Sequence, residues 1–387
     1  MNNKKSLVNI MAIISVSSLI YFMQLNASTL PYIAKSFPQY DMTAIKMFST
    51  LPYFMLIICP LIEWKLLQHF TMKEIVLFSC VVMVITGTAL YGCSGLPEML
   101  ILRIIYGTGY GLVFPLASAL VQHMFEGKQR DKMMGIRTAF GALCGSGMAL
   151  VGGWLTSIHW RRTFLGYLLI IPVFILVYFF CPSNEPMPAR KKKNERIFTR
   201  KTWLLLPFAF ILNICIISFS VELSLVLVGE GLGDAQEVSR VFAVNTIFAF
   251  GAGIIFGFVK QKLGKCVLLA ATGLIGTGLL LGAVSQNYLM FMCFAAIFGI
   301  GFGWLNPIMN LLMADTVTDY RYGAQAIAVY TSCMGLGQFL YPYIWAGINR
   351  LTGRNILRLE WKMSGLFFLG LTAAGISLIH LKRRKKK

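Results

Sequence analysis

Apolar runs of 18 or more residues, bounded by charges, glycines and prolines, recur along the whole 387-residue chain. Each is long enough for a helix to cross a hydrocarbon core of about 30 Å. In lipid every backbone polar group has to be satisfied within its own segment, so helices are the expected form. Twelve runs are counted, over approximately 7–31, 44–64, 74–94, 98–124, 133–158, 163–182, 203–227, 238–259, 265–285, 288–313, 324–348 and 361–381. Composition agrees about the solvent: charged residues are 13% of the chain and mean hydropathy is +0.70, whereas about a quarter of a soluble domain is charged. The expected fold class is an all-α membrane protein of twelve transmembrane helices. The first run follows Lys4 and Lys5 but exceeds the core of a signal peptide and lacks a cleavage site, so it is expected to stay attached.

Lysine and arginine are retained on the cytoplasmic side of a membrane. With the N-terminus inside, 25 of the 35 basic residues fall on that side: Lys4, Lys5, Lys65, Lys73, Lys128, Arg130, Lys132, Arg137, seven from Arg190 to Lys201, Lys260, Lys262, Lys265, Arg321 and the six of the tail "KRRKKK". The expectation is an integral multi-pass protein of the cell (plasma) membrane with both termini cytoplasmic. The net charge of +20 is split among short loops and a tail, which suits contact with the lipid bilayer and argues against nucleic acid. Nine cysteines lie in or beside apolar runs without a CxxC pair, and His69, His123, His159 and His380 are scattered. No metal or other cofactor is expected. Nucleophile elbow, phosphate loop and paired catalytic carboxylates are all missing, so the chain does not read as an enzyme.

The longest polar interruption, "PSNEPMPARKKKNERIFTRK" at 182–201, reads as a solvated linker between six runs and six. The organisation expected is an N-terminal six-helix bundle over 1–182, a basic cytoplasmic linker over 183–201, a C-terminal six-helix bundle over 202–381 and a basic tail over 382–387. The halves repeat. "IYGTGYGLVFP" at 105–115 matches "IFGIGFGWLNP" at 297–307, so Gly107, Gly109, Gly111 and Pro115 correspond to Gly299, Gly301, Gly303 and Pro307. "QHFTMK" at 68–73 against "QKLGKC" at 261–266, and "GSG" at 145–147 against "GLG" at 335–337, keep nearly the same offset. Several collinear matches indicate a duplicated unit. Gly107 and Gly111 share a helix face, as do Gly299 and Gly303, which admits a neighbouring backbone and serves packing, gating or both. Each proline deletes a helix hydrogen bond and favours a bend.

On these residues the chain resembles the major facilitator superfamily. "ILRIIYGTGYGLVFPLASAL" resembles that family's fourth-helix signature, and "GMALVGGWLTSIHWRRTF" the end of its fifth, with Trp160 and Arg161 as its tryptophan–arginine pair. The resemblance implies two pseudo-symmetric six-helix bundles rocking about a central cavity that opens to one side at a time. Departures accompany it. At the loop between helices two and three, "WKLLQHFTMK" places Gln68 where the family carries an acidic residue, and the second copy, "GFVKQKLGK", places Gln261 there. Neither amide offers Arg130 or Arg321 the charge-assisted contact of a carboxylate, so a weak cytoplasmic latch is expected. In the fifth helix Gly152 and Gly153 are present, but the preceding glycine–proline pair of the antiporter signature is Met148 and Ala149.

Chemistry inside the membrane falls to the few polar groups there, because an ionisable side chain at depth costs about 2.5–3.5 kcal/mol on insertion scales. Arg103 lies about five residues inside the fourth helix. It would neutralise an anionic substrate, control a proton site, or simply hydrogen-bond to carbonyls or snorkel. Glu222 is the carboxylate placed clearly within a span. It is the candidate for binding a proton or a substrate cation, with an exposed mouth residue as the alternative. Gln24, Asn26, Asn213, Asn245, Asn306, Asn310, Gln338 and Tyr341 are uncharged polar groups at cavity depth, lining a cavity or bonding between helices. Asp315, Asp319, Glu63 and Glu126 sit near the cytoplasmic boundary and suit gating. Likeness to the twelve-helix drug:proton antiporter branch, including "LPYIAKSFP" at 30–38, makes proton-coupled export of a small amphipathic compound or drug the leading expectation. Proton-coupled or facilitated uptake of a small metabolite such as an organic anion is the alternative, and a non-transporting sensor or assembly partner the third. The partners expected are a small-molecule substrate, protons and lipid.

Overall fold

The computed structural model describes residues 3–125, 127–181, 198–264, 266–314, 316–317, 323–352 and 358–384. Most of the basic linker, Asp315, Asp319, Arg321 and Glu126 therefore lie outside the described residues. In chain order the helices are α1 (Asn3–Ile20), α2 (Leu30–Ser36), α3 (Met42–Thr50), α4 (Pro52–Leu66), α5 (Met72–Ala89), α6 (Leu96–Met124), α7 (Gly127–Ile158), α8 (Ile170–Phe180), α9 (Arg200–Gly229), α10 (Ala235–Leu263), α11 (Cys266–Val284), α12 (Tyr288–Ala314), α13 (Gly323–Thr352) and α14 (Leu359–Arg384). Short 3-10 segments at Tyr21–Asn26, Leu90–Gly92 and Trp160–Leu169 extend α1, α5 and the start of α8.

Local chemistry starts several of these helices. The Asp41 carboxylate accepts from Ala44 N at 3.0 Å ahead of α3. Thr71 with Glu74, and Asp234 with Glu237, form reciprocal capping boxes ahead of α5 and α10. Among the described residues nine spans are long and apolar enough to cross a membrane, and α1 with α2, bent by 45°, makes a tenth. α13 and α14 have span length at 30 and 26 residues, and Gln325, Gln338, Asn349 and Arg350 make α13 the more polar of these elements.

The first span departs from a single helix over 7–31. After Ile20 the chain tightens into the 3-10 turn, then Thr29 turns back so that its N–H and hydroxyl both donate to Asn26 O, at 3.2 and 3.0 Å. Pro31 has no N–H to offer the carbonyl of Ala27, so the helix cannot run through.

The repeated glycines pack the two halves alike. A Cβ at Gly107 would come 2.7 Å from Pro52 O and one at Gly111 2.9 Å from Met55 O, both on α4. One at Gly299 would strike Asn245 O and one at Gly303 would come 2.5 Å from Ala249 O, both on α10. The middle glycines face the next helix in each half, Gly109 toward Ser79 O on α5 and Gly301 toward Ala271 O on α11. Pro115 and Pro307 sit inside α6 and α12, each of which continues through as one element. The core gathers into two large clusters. One cluster runs from Ala12 to Cys181 with Leu225, and another gathers Ala209 to Phe368 with Ala27 and Ala149. Successive spans run antiparallel, α3 and α4 together making one of them, so one face of the molecule carries the start of α1 and the end of α14. The opposite face, called distal below, carries the α9–α10 turn.

Candidate functional site

Toward the distal face four side chains from four helices and both halves meet. Lys46 on α3 lies with Nζ 2.6 Å from Glu222 Oε1 on α9 and 2.8 Å from Glu360 Oε1 at the start of α14. The Tyr341 hydroxyl of α13 is 2.9 Å from Glu222 Oε1 and also bonds Glu360 Oε2. All four are buried, with 8% of Lys46, 2% of Glu222, 3% of Glu360 and none of Tyr341 exposed. An apolar collar of Ile214, Ile217, Val221 and Trp345 surrounds Tyr341. Among the described residues the Lys46 pairs are the ion pairs that join the two halves. In such low-dielectric surroundings charges hold one another strongly, and separating them leaves an uncompensated buried charge.

Each member is held in place by its neighbours. Because residue 52 is proline, the carbonyl of Phe48 has no donor four residues on, and Arg103 Nε fills that place at 2.8 Å. Arg103 thereby fixes α3 two residues beyond Lys46. Its guanidinium also donates to Tyr167 OH at 3.1 Å and lies against the rings of Phe48 and Tyr106, while Asn26 Nδ2 donates to the same Tyr167 hydroxyl at 2.5 Å. On the other half Trp361, next to Glu360, donates from Nε1 to Ser218 O at 3.0 Å, one turn before Glu222. Arg358, with φ +79°, forks onto Glu230, bonds Ser285 O and covers Phe291, clamping the start of α14. A left-handed conformation at a non-glycine residue costs about 1–3 kcal/mol and persists where the surroundings hold it.

A model described as Major Facilitator Superfamily matches residues 10–340 and 210–387. The chain belongs to the major facilitator superfamily. As a member of that family it is a transporter. The multidrug transporter protein MdtP of Bacillus subtilis is 31% identical over 113 residues, which are 28% of this chain and 20% of that relative's length. An uncharacterised MFS-type transporter of Methanocaldococcus jannaschii is 23% identical over 78% of this chain and 81% of its own. The crystal structure of the nucleoside transporter NupG superposes with a TM-score of 0.72 at 12% identity, covering 94% of this chain and 97% of that one.

Two members of the cluster, Lys46 and Glu360, escaped the sequence reading of this transporter. Lys46 lies near the start of one apolar run and Glu360 directly precedes the last one, and neither belongs to a motif. The remaining polar candidates are dispersed. Asn213 donates to Ala209 O at 2.9 Å and accepts from Gln338 Nε2 at 3.4 Å. Asn245 donates to Ala295 O at 3.3 Å, and Asn310 to Asn306 Oδ1 at 3.0 Å. Gln24 is half-buried. Gly152 and Gly153 let α7 approach Leu25 O and Ser239, respectively. At the other face Gln68 is half-buried and Gln261 exposed. The Arg130 side chain and Arg321, their expected partners, lie outside the described residues.

Proposed function

We propose that this transporter is a proton-coupled exporter of a small amphipathic compound, working by alternating access in the cell membrane with its termini cytoplasmic and its distal face outward. The observation that carries the coupling is the contact of Lys46, Glu222, Tyr341 and Glu360 between the halves. One lysine faces two carboxylates, so the fully ionised cluster bears a net negative charge. A phenol has one proton to donate, yet Tyr341 touches both acids. One added proton neutralises the cluster and supplies the missing hydrogen bond, since a neutral carboxylic acid donates to the Tyr341 oxygen while Tyr341 donates to the ionised one.

Closure of the distal side then requires one proton. When that proton leaves, both carboxylates are charged, buried net charge opposes contact between the halves, and the distal side opens. A proton arriving from outside lets it close and turns the cavity inward. Glu222 and Glu360 carry the proton, Tyr341 shares it, and Lys46 sets how many negative charges the cluster tolerates. A drug-like cargo is supported by the stretch of 31% identity, over 28% of this chain, to a protein named a multidrug transporter.

The test uses inside-out vesicles with an imposed proton gradient, an internal pH dye and a panel of dyes, antibiotics and metabolites. Proton release coupled to compound accumulation is expected, and Glu222→Gln or Glu360→Gln should abolish the coupling. Accumulation that proceeds in both variants with unchanged proton flux would remove the cluster from the mechanism.

A further inference from the structure

Resting on the transport reading above, we propose that the interior of this protein holds an anion site centred on Arg137, and that the compound carried is an organic anion with an aromatic body. Arg137 lies on α7, 10 residues after Gly127 (137 minus 127), and so about 15 Å along the helix from its end at the termini face. It makes no hydrogen bond or ion pair among the described residues, and its Nε is completely buried without a partner.

The other buried or half-buried cations of the site region are engaged. Lys46 faces two carboxylates, Arg103 holds Phe48 O and Tyr167, and Arg358 holds Glu230. Among the described residues, the titratable group facing Arg137 is the Tyr21 phenol. The buried carboxylates do not serve it: Glu222 and Glu360 belong to Lys46, and Glu63, near the termini-face end of α4, stands beside Cys59. Arg137 as a whole is half-buried while its Nε is covered, so its charge is only partly solvated at this depth, and a bound anion offsets the remaining cost.

The surroundings are shaped for such a ligand. Residues 137, 141 and 145 follow one another at four-residue spacing and share a face of α7. A Cβ at Gly141 would lie 2.9 Å from the Tyr21 hydroxyl, and one at Gly145 2.8 Å from Tyr21 Cδ1 and 3.6 Å from Thr246 Cγ2 of the opposite half. The Tyr21 ring thus packs directly onto the two glycines of this face of α7, which reaches the junction of the halves at Thr246. The Tyr21 hydroxyl makes no hydrogen bond among the described residues and is free to donate to the same anion. Tyr110 lies within electrostatic reach of Tyr21, and its ring packs 5.9 Å from that of Tyr53 and 5.8 Å from that of Phe114. The donor edge of a guanidinium matches a carboxylate or sulfonate in a planar, bidentate fashion, and the packed aromatic cluster next to Tyr21 suits an aromatic body at its edge.

The test is equilibrium binding of radiolabelled 1-naphthoate to the purified full-length protein in lipid-free neutral detergent, with 1-naphthalenesulfonate, 1-naphthamide and 1-naphthylmethylamine as competitors. Both anions should compete at least tenfold better than the amide, and the amine not at all. Arg137→Gln should erase this preference, Arg137→Lys retain most of it, and Arg240→Gln, at an exposed arginine of α10, leave it unchanged. Equal competition by amide and anion in the wild type overturns the proposal, as does a preference that survives Arg137→Gln. A glutamine variant that does not fold leaves a second readout on the wild type, protection of Arg137 from phenylglyoxal by 1-naphthoate measured by mass spectrometry, and lack of protection is equally decisive. No gradient enters this assay, so failure of proton coupling in vesicles and failure of the anion site are separately visible.

Discussion

Lys46 is one positive charge facing two acids, and this imbalance makes the distal cluster sensitive to single substitutions. Lys46→Met leaves Glu222 and Glu360 buried together without a counter-ion, and loss of one partner from a buried ion pair costs about 3–5 kcal/mol. The expected outcome is a population shifted toward the distally open form, read as increased labelling of a cysteine introduced at Val221 by an impermeant thiol reagent. Unchanged labelling would show that the cluster does not hold the halves together. Arg103 differs in kind: its donors complete the backbone at the Phe48–Pro52 junction and engage Tyr167. Arg103→Met is therefore expected to lower thermal stability, by about 1–3 kcal/mol for each buried acceptor left unsatisfied. An unaltered melting temperature in detergent would contradict that role. The chain displayed Arg103 and Glu222 clearly, as charges within apolar runs. It did not display that Arg103 was already occupied, because its partners are a carbonyl 55 residues away and a phenol 64 residues away.

Among the elements, α6 and α12 carry the clearest repeat, and the structure assigns it equivalent neighbours: α4 and α5 in one half, α10 and α11 in the other. Three alternate glycines divide their faces between two flanking helices, which explains the period of two in a helical element. Gly299→Ala places a methyl group against Asn245 O and should destabilise the protein, whereas Gly147→Ala, with nothing within 4 Å, should be close to neutral. Thermal unfolding of the pair measures the contrast, and equal effects would mean that α10 moves away at no cost. The glycines were legible in the sequence because spacing alone puts them on defined faces. The break in the first span was less so, since Pro31 follows a long apolar run and only the turn of Thr29 onto Asn26 decides where the helix stops.

At the scale of the whole molecule, the two halves touch through pairs of helices as well as through the charge cluster. Ser146 on α7 meets Thr246 on α10 with their hydroxyl oxygens 2.5 Å apart, and Gln236 donates to Ser157 at 3.1 Å. Rocking of one half against the other has to disturb these contacts. Cysteines at 146 and 246, in a background lacking the nine native ones, are expected to cross-link under oxidation and to stop transport until a reductant is added. Undiminished transport by the cross-linked protein would place the moving boundary elsewhere. The distally closed population should also fall as pH rises through the titration of the cluster, because the bridging proton is then lost. Double electron–electron resonance between spin labels at the distal ends of α3 and α14 reads that change.

Apolar length, the bias of lysine and arginine among loops, and the glycine repeat are properties of local sequence, so the chain by itself determined a helical membrane protein built from a duplicated unit. The charge cluster is different, since Lys46 and Glu360 are 314 residues apart and neither carries a motif. Their meeting depends on packing two bundles whose surfaces are each specified elsewhere. The same holds for the arginines: the sequence counts Arg137 among the cytoplasmic charges and Arg103 as a charge within a span, and only the tertiary structure gives Arg103 a set of acceptors and leaves the Nε of Arg137 without one among the described residues.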